Sequence, residues 1–352
     1  MVPFDGSSPG RTVGPPGAAC TDGGWSPDGK WIYVSSNAGG KFHIWRQRFS
    51  GGEPEPITSG ATEEEGVAVA PDGQSLVTSV GLQESEVWIR DAAGERRISS
   101  EGFAYRPQFS PDRKKLFYQT ESGASRGFPM GELREADLAT GQSERLLTGF
   151  LVTGYDISAD GKQIVFASTH EGRGPRIWLA PLDRRSAPRR LSSSDEDMPL
   201  FMPTGDIMFR ASERNANFLC RMKSDGTGRE RVLPNPIIEA LAISPDGAFV
   251  LAGAAVADED MPFGLVAFPL HGGTPQRICN ACYGRRTFAI PLRAGRMLPP
   301  LPPNGIKSRS DLDSISGLRV IDHPFAVPGP DLATYAYTRT SVHRNLYRIP
   351  LP

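Results

Sequence analysis

One hexapeptide recurs along the chain at near-constant spacing, and no other feature restricts its folding as strongly. It reads Trp25-Ser-Pro-Asp-Gly-Lys30, Val69-Ala-Pro-Asp-Gly-Gln74, Phe109-Ser-Pro-Asp-Arg-Lys114, Ile157-Ser-Ala-Asp-Gly-Lys162 and Ile243-Ser-Pro-Asp-Gly-Ala248. Weaker copies are Phe201-Met-Pro-Thr-Gly-Asp206 and Val327-Pro-Gly-Pro-Asp-Leu332. Taking the proline slot as origin places them at 27, 71, 111, 159, 203, 245 and 330. The steps are 44, 40, 48, 44, 42 and then 85, nearly a double step. A fixed period of this length is the mark of a repeat architecture.

The hexapeptide is turn chemistry. Proline sets φ for the second position of a type I turn, Asp follows comfortably, and Gly supplies the positive φ that leaves it. Gly29, Gly73, Gly161 and Gly247 are therefore expected in the left-handed region. Each turn is followed by a short β-rich run, such as Trp31-Ile-Tyr-Val34, Leu116-Phe-Tyr118 or Ile164-Val-Phe166. A second run comes 17 to 19 residues after the proline slot, three times as an aliphatic residue before Trp: Ile44-Trp45, Val87-Trp88 and Ile177-Trp178. A third closes each unit, as in Pro56-Ile-Thr58, Arg97-Ile98 and Arg190-Leu191. With the apolar run that enters the hexapeptide, each repeat holds four strands, and no stretch shows helical periodicity over three turns. Four antiparallel strands in 40 to 45 residues is the period of a β-propeller blade. The 39 glycines and 32 prolines agree with many short strands joined by tight turns.

The Ser-Pro-Asp-Gly turn with its downstream Ile-Trp resembles the Pro-Asp-Gly (WD40-like) repeat of TolB-like propellers and of propellers in prolyl-oligopeptidase relatives. The resemblance spans Gly17 to about Asn280 and returns from Arg319 to Pro352; the Gly-His and Trp-Asp signature of true WD repeats is missing. The closing segment, Arg319-Val-Ile-Asp322 with Thr334-Tyr-Ala-Tyr-Thr-Arg339 and Asn345-Leu-Tyr-Arg-Ile-Pro-Leu351, also resembles the C-terminal sensory propellers of some bacterial Ser/Thr kinases and winged-helix regulators.

The fold expected is thus all-β: a single propeller domain over residues 1–352, seven blades favoured over eight. Pro3-Phe-Asp-Gly-Ser-Ser-Pro-Gly-Arg11 lines up with the blade tail Pro269-Leu-His-Gly-Gly-Thr-Pro-Gln-Arg277. The last residues read as the first three strands of a blade, so the N- and C-termini are expected to share the closing one. Residues 283–322, rich in proline around Leu298-Pro-Pro-Leu-Pro-Pro303, break the period and read as an insertion or a degenerate eighth blade.

Composition narrows the function. The chain has 352 residues, 39 Lys and Arg against 40 Asp and Glu, and 38% hydrophobic residues. A net charge of −1 argues against nucleic acid as partner. No run of about 18 apolar residues is present to form a membrane-spanning helix. No signal peptide is visible, and the compartment stays unknown, periplasmic if the chain belongs to a longer membrane-bound signalling protein.

Motifs that could carry chemistry are isolated. Gly123-Ala-Ser-Arg-Gly127 has the nucleophile-elbow spacing but stands in a polar loop without a following helix. Cys279-Asn-Ala-Cys282 lacks the second pair or spaced histidines of a zinc site, so two reduced thiols are the plain reading and a disulfide or redox-sensitive turn the sharper one. The five histidines show no metal-ligand spacing. No cofactor, metal or catalytic residue is assigned.

One constellation follows from the repeat. Six residues before the proline slot, where each innermost strand begins, stand Thr21, Glu65, Tyr105, Thr153, Asp197, Glu239 and Pro324, with Asp22 and Arg106 one further on. In a propeller, equivalent positions ring one mouth of the central channel. Asp22, Glu65, Tyr105, Arg106, Asp197 and Glu239 are therefore the candidate binding residues, with Glu63, Glu64, Asp195 and Glu196 as acidic neighbours. The function expected is a non-catalytic binding or sensing module for a protein, a peptide or a small polar ligand. A lactonase- or hydrolase-like enzyme at the mouth and a TolB-like envelope component are the alternatives.

Overall fold

The computed structural model describes residues 10–121, 130–170, 174–256, 263–280, 286–292, 298–302, 304–329, 331 and 333–351. They group into two compact units, one with residues up to 85 and from 340 onward, the other from 86 to 121 and up to 339.

Five complete blades are present among the described residues. In the first unit, Cys20–Trp25, Trp31–Ser36, His43–Arg48 and Glu55–Pro56 pair in chain order, all antiparallel. The second unit holds four blades of the same order. They begin at Ala104–Phe109, Val152–Ile157, Glu196–Phe201 and Glu239–Ile243. Their outer strands end at Ser143–Arg145, Arg189–Arg190, Glu230–Arg231 and Gln276–Asn280. Up-and-down four-stranded sheets of this kind are propeller blades. Apolar residues of adjacent blades in the second unit pack together: Val165, Ile177, Ile207, Phe209 and Cys220 form one cluster from two blades.

The hexapeptide builds one bonding pattern repeatedly. Ser26 Oγ donates to Asp28 Oδ1 at 2.6 Å and accepts from Trp31 N at 2.9 Å, while Asp28 Oδ1 also accepts from Lys30 N. Ser110 with Asp112, Ser158 with Asp160 and Ser244 with Asp246 repeat it. The serine hydroxyl thus holds each of these carboxyls below its ordinary pKa. Gly29, Gly73, Gly161 and Gly247 all have φ between 68° and 71°, as the turn requires. Arg113 takes the same conformation at φ 61° where the repeat has lost its glycine.

Two hairpins expected from the repeat are absent. Leu76-Val-Thr78 and Val87-Trp88 belong to one continuous strand, Ser75–Asp91, and the two last runs belong to another, Tyr335–Pro350. Residues 79–86 and 339–345 carry no Pro, no Asn-Gly and no Asp-Gly, so nothing reverses the chain there. The Glu196 blade shows the contrast: Glu213 and Ala216 close a two-residue turn with Arg214 at φ 56°.

Each unit therefore completes a sheet from distant sequence. In the first, Glu63–Val69 pairs with 75–81. The C-terminal strand joins that sheet, with Leu351 N donating to Gln74 O at 2.9 Å and Arg348 Nε to Ser75 Oγ at 2.8 Å. In the second, 88–91 pairs with Gly94–Arg97, Val327–Pro328 pairs with Tyr335 and Ala336, and the Arg339 guanidinium lies over the Trp88 ring at 3.9 Å. The shared closing blade is corrected accordingly: residues 10–13 form no strand, and the C-terminal strand is hydrogen-bonded beside Ser75–Asp91 instead.

In the proline-rich region, Thr287–Ala289 pairs with Arg319–Ile321, and a one-turn helix, Arg309–Asp313, is closed by a capping box between Ser308 and Asp311.

Candidate functional site

Every innermost strand named above carries a β-bulge at its start. The irregularities fall at Cys20/Asp22 and Glu65/Ala68 in the first unit. In the second they fall at Tyr105/Gln108, Val152/Gly154, Asp197/Leu200 and Ala240/Ala242. Gly66, Arg106 and Met198, each five residues before its proline slot, have φ of 82°, 51° and 50°. A non-glycine residue there costs on the order of 1–2 kcal/mol, so local bonds must hold it. For Arg106 they are visible: its carbonyl accepts from Tyr155 Oη at 2.7 Å, and its Nη1 donates to Thr153 O at 2.5 Å.

Several of the carboxylates expected at the mouth have partners within the blades. Asp22 accepts Val67 N at 2.9 Å and Gly23 N at 2.8 Å, so it ties two innermost strands of the first unit together. Glu65 and Glu63 both face Arg344, at 3.3 and 3.1 Å. Asp197 holds Arg210 through two bonds, Nε to Oδ1 at 2.7 Å and Nη2 to Oδ2 at 2.6 Å, which raises the guanidinium's pKa further. These carboxylates are spent on the blades themselves. Tyr105 has a buried hydroxyl without a hydrogen bond among the described residues, and burial pushes its pKa up to about 12. Among the described residues no group of three or more His, Cys, Asp or Glu is disposed to hold a metal.

Two of the expected residues do share an opening. A cavity of about 480 Å³ in the second unit is lined by Arg106 and Glu239, with Tyr155, Asp156, Met198, Phe201 and Leu241 among the rest. Met198, Leu200, Phe201 and Leu241 give it apolar lining, and Leu241 is 41% exposed on an innermost strand. Asp156 falls outside the expected ring because it stands three residues before the proline slot rather than six. Its Oδ1 accepts from Gln108 Nε2 at 2.7 Å and from Ile157 N at 2.9 Å, and its Oδ2 from Phe201 N at 2.8 Å. Desolvation nevertheless wins over these donors and raises its pKa. Gln108 occupies the same slot one blade earlier, a polar pair that a position-by-position comparison of repeats would have picked out.

Other motifs resolve differently. Cys279 is disulfide-bonded and 2% exposed, against the plain expectation of a reduced thiol; Cys282 lies outside the described residues. Gly123 to Gly127 also lies outside them. Trp25 is 46% exposed and meets Phe49 edge-on at 4.6 Å. In the first unit His43 Nδ1 lies 2.6 Å from Glu64 Oε2, and Ser36 stands opposite His43 in the register. The Ser36 hydroxyl is buried and makes no hydrogen bond among the described residues, so no base-to-nucleophile link joins it to His43 there.

No family model and no curated relative matches the sequence. Among solved structures, TolB from Acinetobacter baumannii matches at 23% identity over 60% of this chain and 53% of that one, TM-score 0.36. The chain thus spans about half the length of that TolB. A putative TolB from Agrobacterium tumefaciens matches at 22% identity over 61% of this chain and 81% of its own, TM-score 0.38. Oligogalacturonate lyase from Vibrio parahaemolyticus matches at 15% identity over 77% and 81%, TM-score 0.41. Independently of these likenesses, five sheets here have the four-stranded antiparallel order of a propeller blade. This chain is built of four-stranded antiparallel propeller blades. Its blades lay their bulged innermost strands side by side, and in the second unit that places the cavity between Arg106 and Glu239.

Proposed function

We propose that the chain is a binding module whose second unit takes an extended peptide segment of a partner protein at this cavity, without bond-making chemistry. The observation that carries the reading is the lining itself. Leu241, Met198 and Phe201 offer an apolar seat, and the same lining carries Arg106 and Glu239, one residue of each charge sign. An apolar site with few placed polar groups is what a side chain with a polar backbone around it needs. Asp156, the other carboxylate, is occupied by three donors and so is a scaffold group rather than a free acid or base. The described lining holds no Ser, Thr, Cys, His or Lys to act as a nucleophile.

Panning a displayed peptide library against the protein tests this. Enriched peptides should carry an apolar anchor and lose affinity at least tenfold against Leu241→Asp, a loss of about 1.4 kcal/mol. Enrichment that ignores Leu241→Asp would overturn the site. Turnover of a lactone, ester or uronide that disappears in Glu239→Gln would overturn the non-catalytic reading.

A further inference from the structure

A second and larger cavity, about 550 Å³, opens elsewhere in the same unit. Its walls come from residues 90–95, from the strand Arg319–Ile321 with the two residues after it, and from Tyr335. None of the slots read from the hexapeptide reaches it, and it does not rest on the peptide site above.

Its charges do not cancel. Three carboxylates line it, and each has an arginine outside the lining: Asp91 has Arg96 at 3.7 Å, Glu95 has Arg339 at 2.8 Å and Asp322 has Arg286 at 2.8 Å. Two arginines line it as well. Arg90 reaches Glu95 only at 3.4 Å, a carboxylate already held by Arg339. The Arg319 side chain forms no hydrogen bond or ion pair among the described residues; the Asp331 carboxyl, held low chiefly by the Thr334 backbone N–H, also feels its charge. The uncompensated charge in the cavity is therefore positive.

The rest of the wall is flat or apolar. Val320 is 49% exposed there, beside Tyr335. His323 stacks on Tyr337 with ring centres 3.7 Å apart and planes within 14°, which fixes its imidazole at the wall. Burial lowers the His323 pKa, so near pH 7 the ring supplies a face rather than a charge.

We infer that this cavity is a binding site for a small organic anion, a phosphate monoester or carboxylate on an aromatic or apolar body. The anion sits on Arg319 and Arg90, and the body lies against Val320, Tyr335 and His323. A planar guanidinium without a partner is suited to either oxyanion, since both present paired oxygens at matching spacing.

Calorimetric titration of the whole chain at low salt tests it, with phenyl phosphate and phenylacetate as probes. Inorganic phosphate and benzyl alcohol serve as controls for each half of the ligand. Saturable binding of at least one aromatic anion is expected, tighter than either control and weakened by salt. Arg319→Gln should weaken it tenfold or more, and Arg319→Lys, which keeps the charge, should weaken it less. Arg319 is exposed, so both variants should fold, with unfolding curves to confirm it. No saturation by either anion up to roughly 10 mM, or equal affinity for inorganic phosphate, would overturn the site. So would unchanged binding in Arg319→Gln.

Discussion

Asp156 Oδ2 accepts the backbone N–H of Phe201 at 2.8 Å, joining the innermost strand of one blade to that of the next. The bond sits at the wall of the 480 Å³ cavity, so the shape of that cavity depends on a carboxylate that already has three donors. Asp22 and Val67 N repeat the device in the first unit at 2.9 Å.

Replacing Asp156 by Ala strands the Gln108, Phe201 and Ile157 donors and should destabilise the protein by about 2 kcal/mol. The pH dependence of the native group has a definite sign. Its folded pKa lies above the unfolded value because burial outweighs its donors. Its contribution is therefore greatest at acid pH, below the unfolded value near 3.8, and is lost as pH rises through the folded pKa. Urea melts from pH 4 upward should show the wild-type advantage over Asp156→Asn shrinking across that window and then levelling. An advantage that grows with pH would contradict the assignment.

Asp197 is bound to Arg210 rather than open to a partner. Both side chains are three-quarters or more covered, so Asp197→Ala should cost about 2 kcal/mol by leaving a half-buried guanidinium unpaired. Arg210→Met combined with it should recover part of that loss. A double-mutant cycle on chemical denaturation reads the coupling; strictly additive losses would show that the pair contributes nothing.

Removal of residues 340–352 should expose the 75–81 strand as an open edge and strip Ile349 and Leu351 from the cluster around Tyr33, Ile44 and Leu76. In the first unit only the pair of strands Glu63–Val69 and 75–81 would remain of that sheet, too few to stand alone. Light scattering with size-exclusion chromatography should then find aggregates. A monomeric product with an unchanged melting midpoint would count against this role for the tail.

The blades are legible in the repeat because a turn is a local object. Ser26, Pro27, Asp28 and Gly29 contain within four residues every group that their reversal needs, and the same holds at Ser158 to Gly161 and Ser244 to Gly247. Strand pairing within a blade follows, since adjacent strands are joined by these turns. Arg106 and Glu239 are reached by slot position alone, and they do share a cavity.

Where local chemistry was silent the sequence could not choose. At 79–86 and 339–345 no residue pair dictates a reversal, so the partner of each strand was settled by long-range hydrogen bonding, and the chain ran straight through. Charge pairing is likewise non-local: nothing in the spacing of Glu65 and Arg344, or of Glu95 and Arg339, announces that they meet. The sequence by itself determined the blade pattern and its turns. Tertiary structure decided which carboxylates were neutralised and which arginines were left over, because Coulomb energy depends on distance in space and not along the chain.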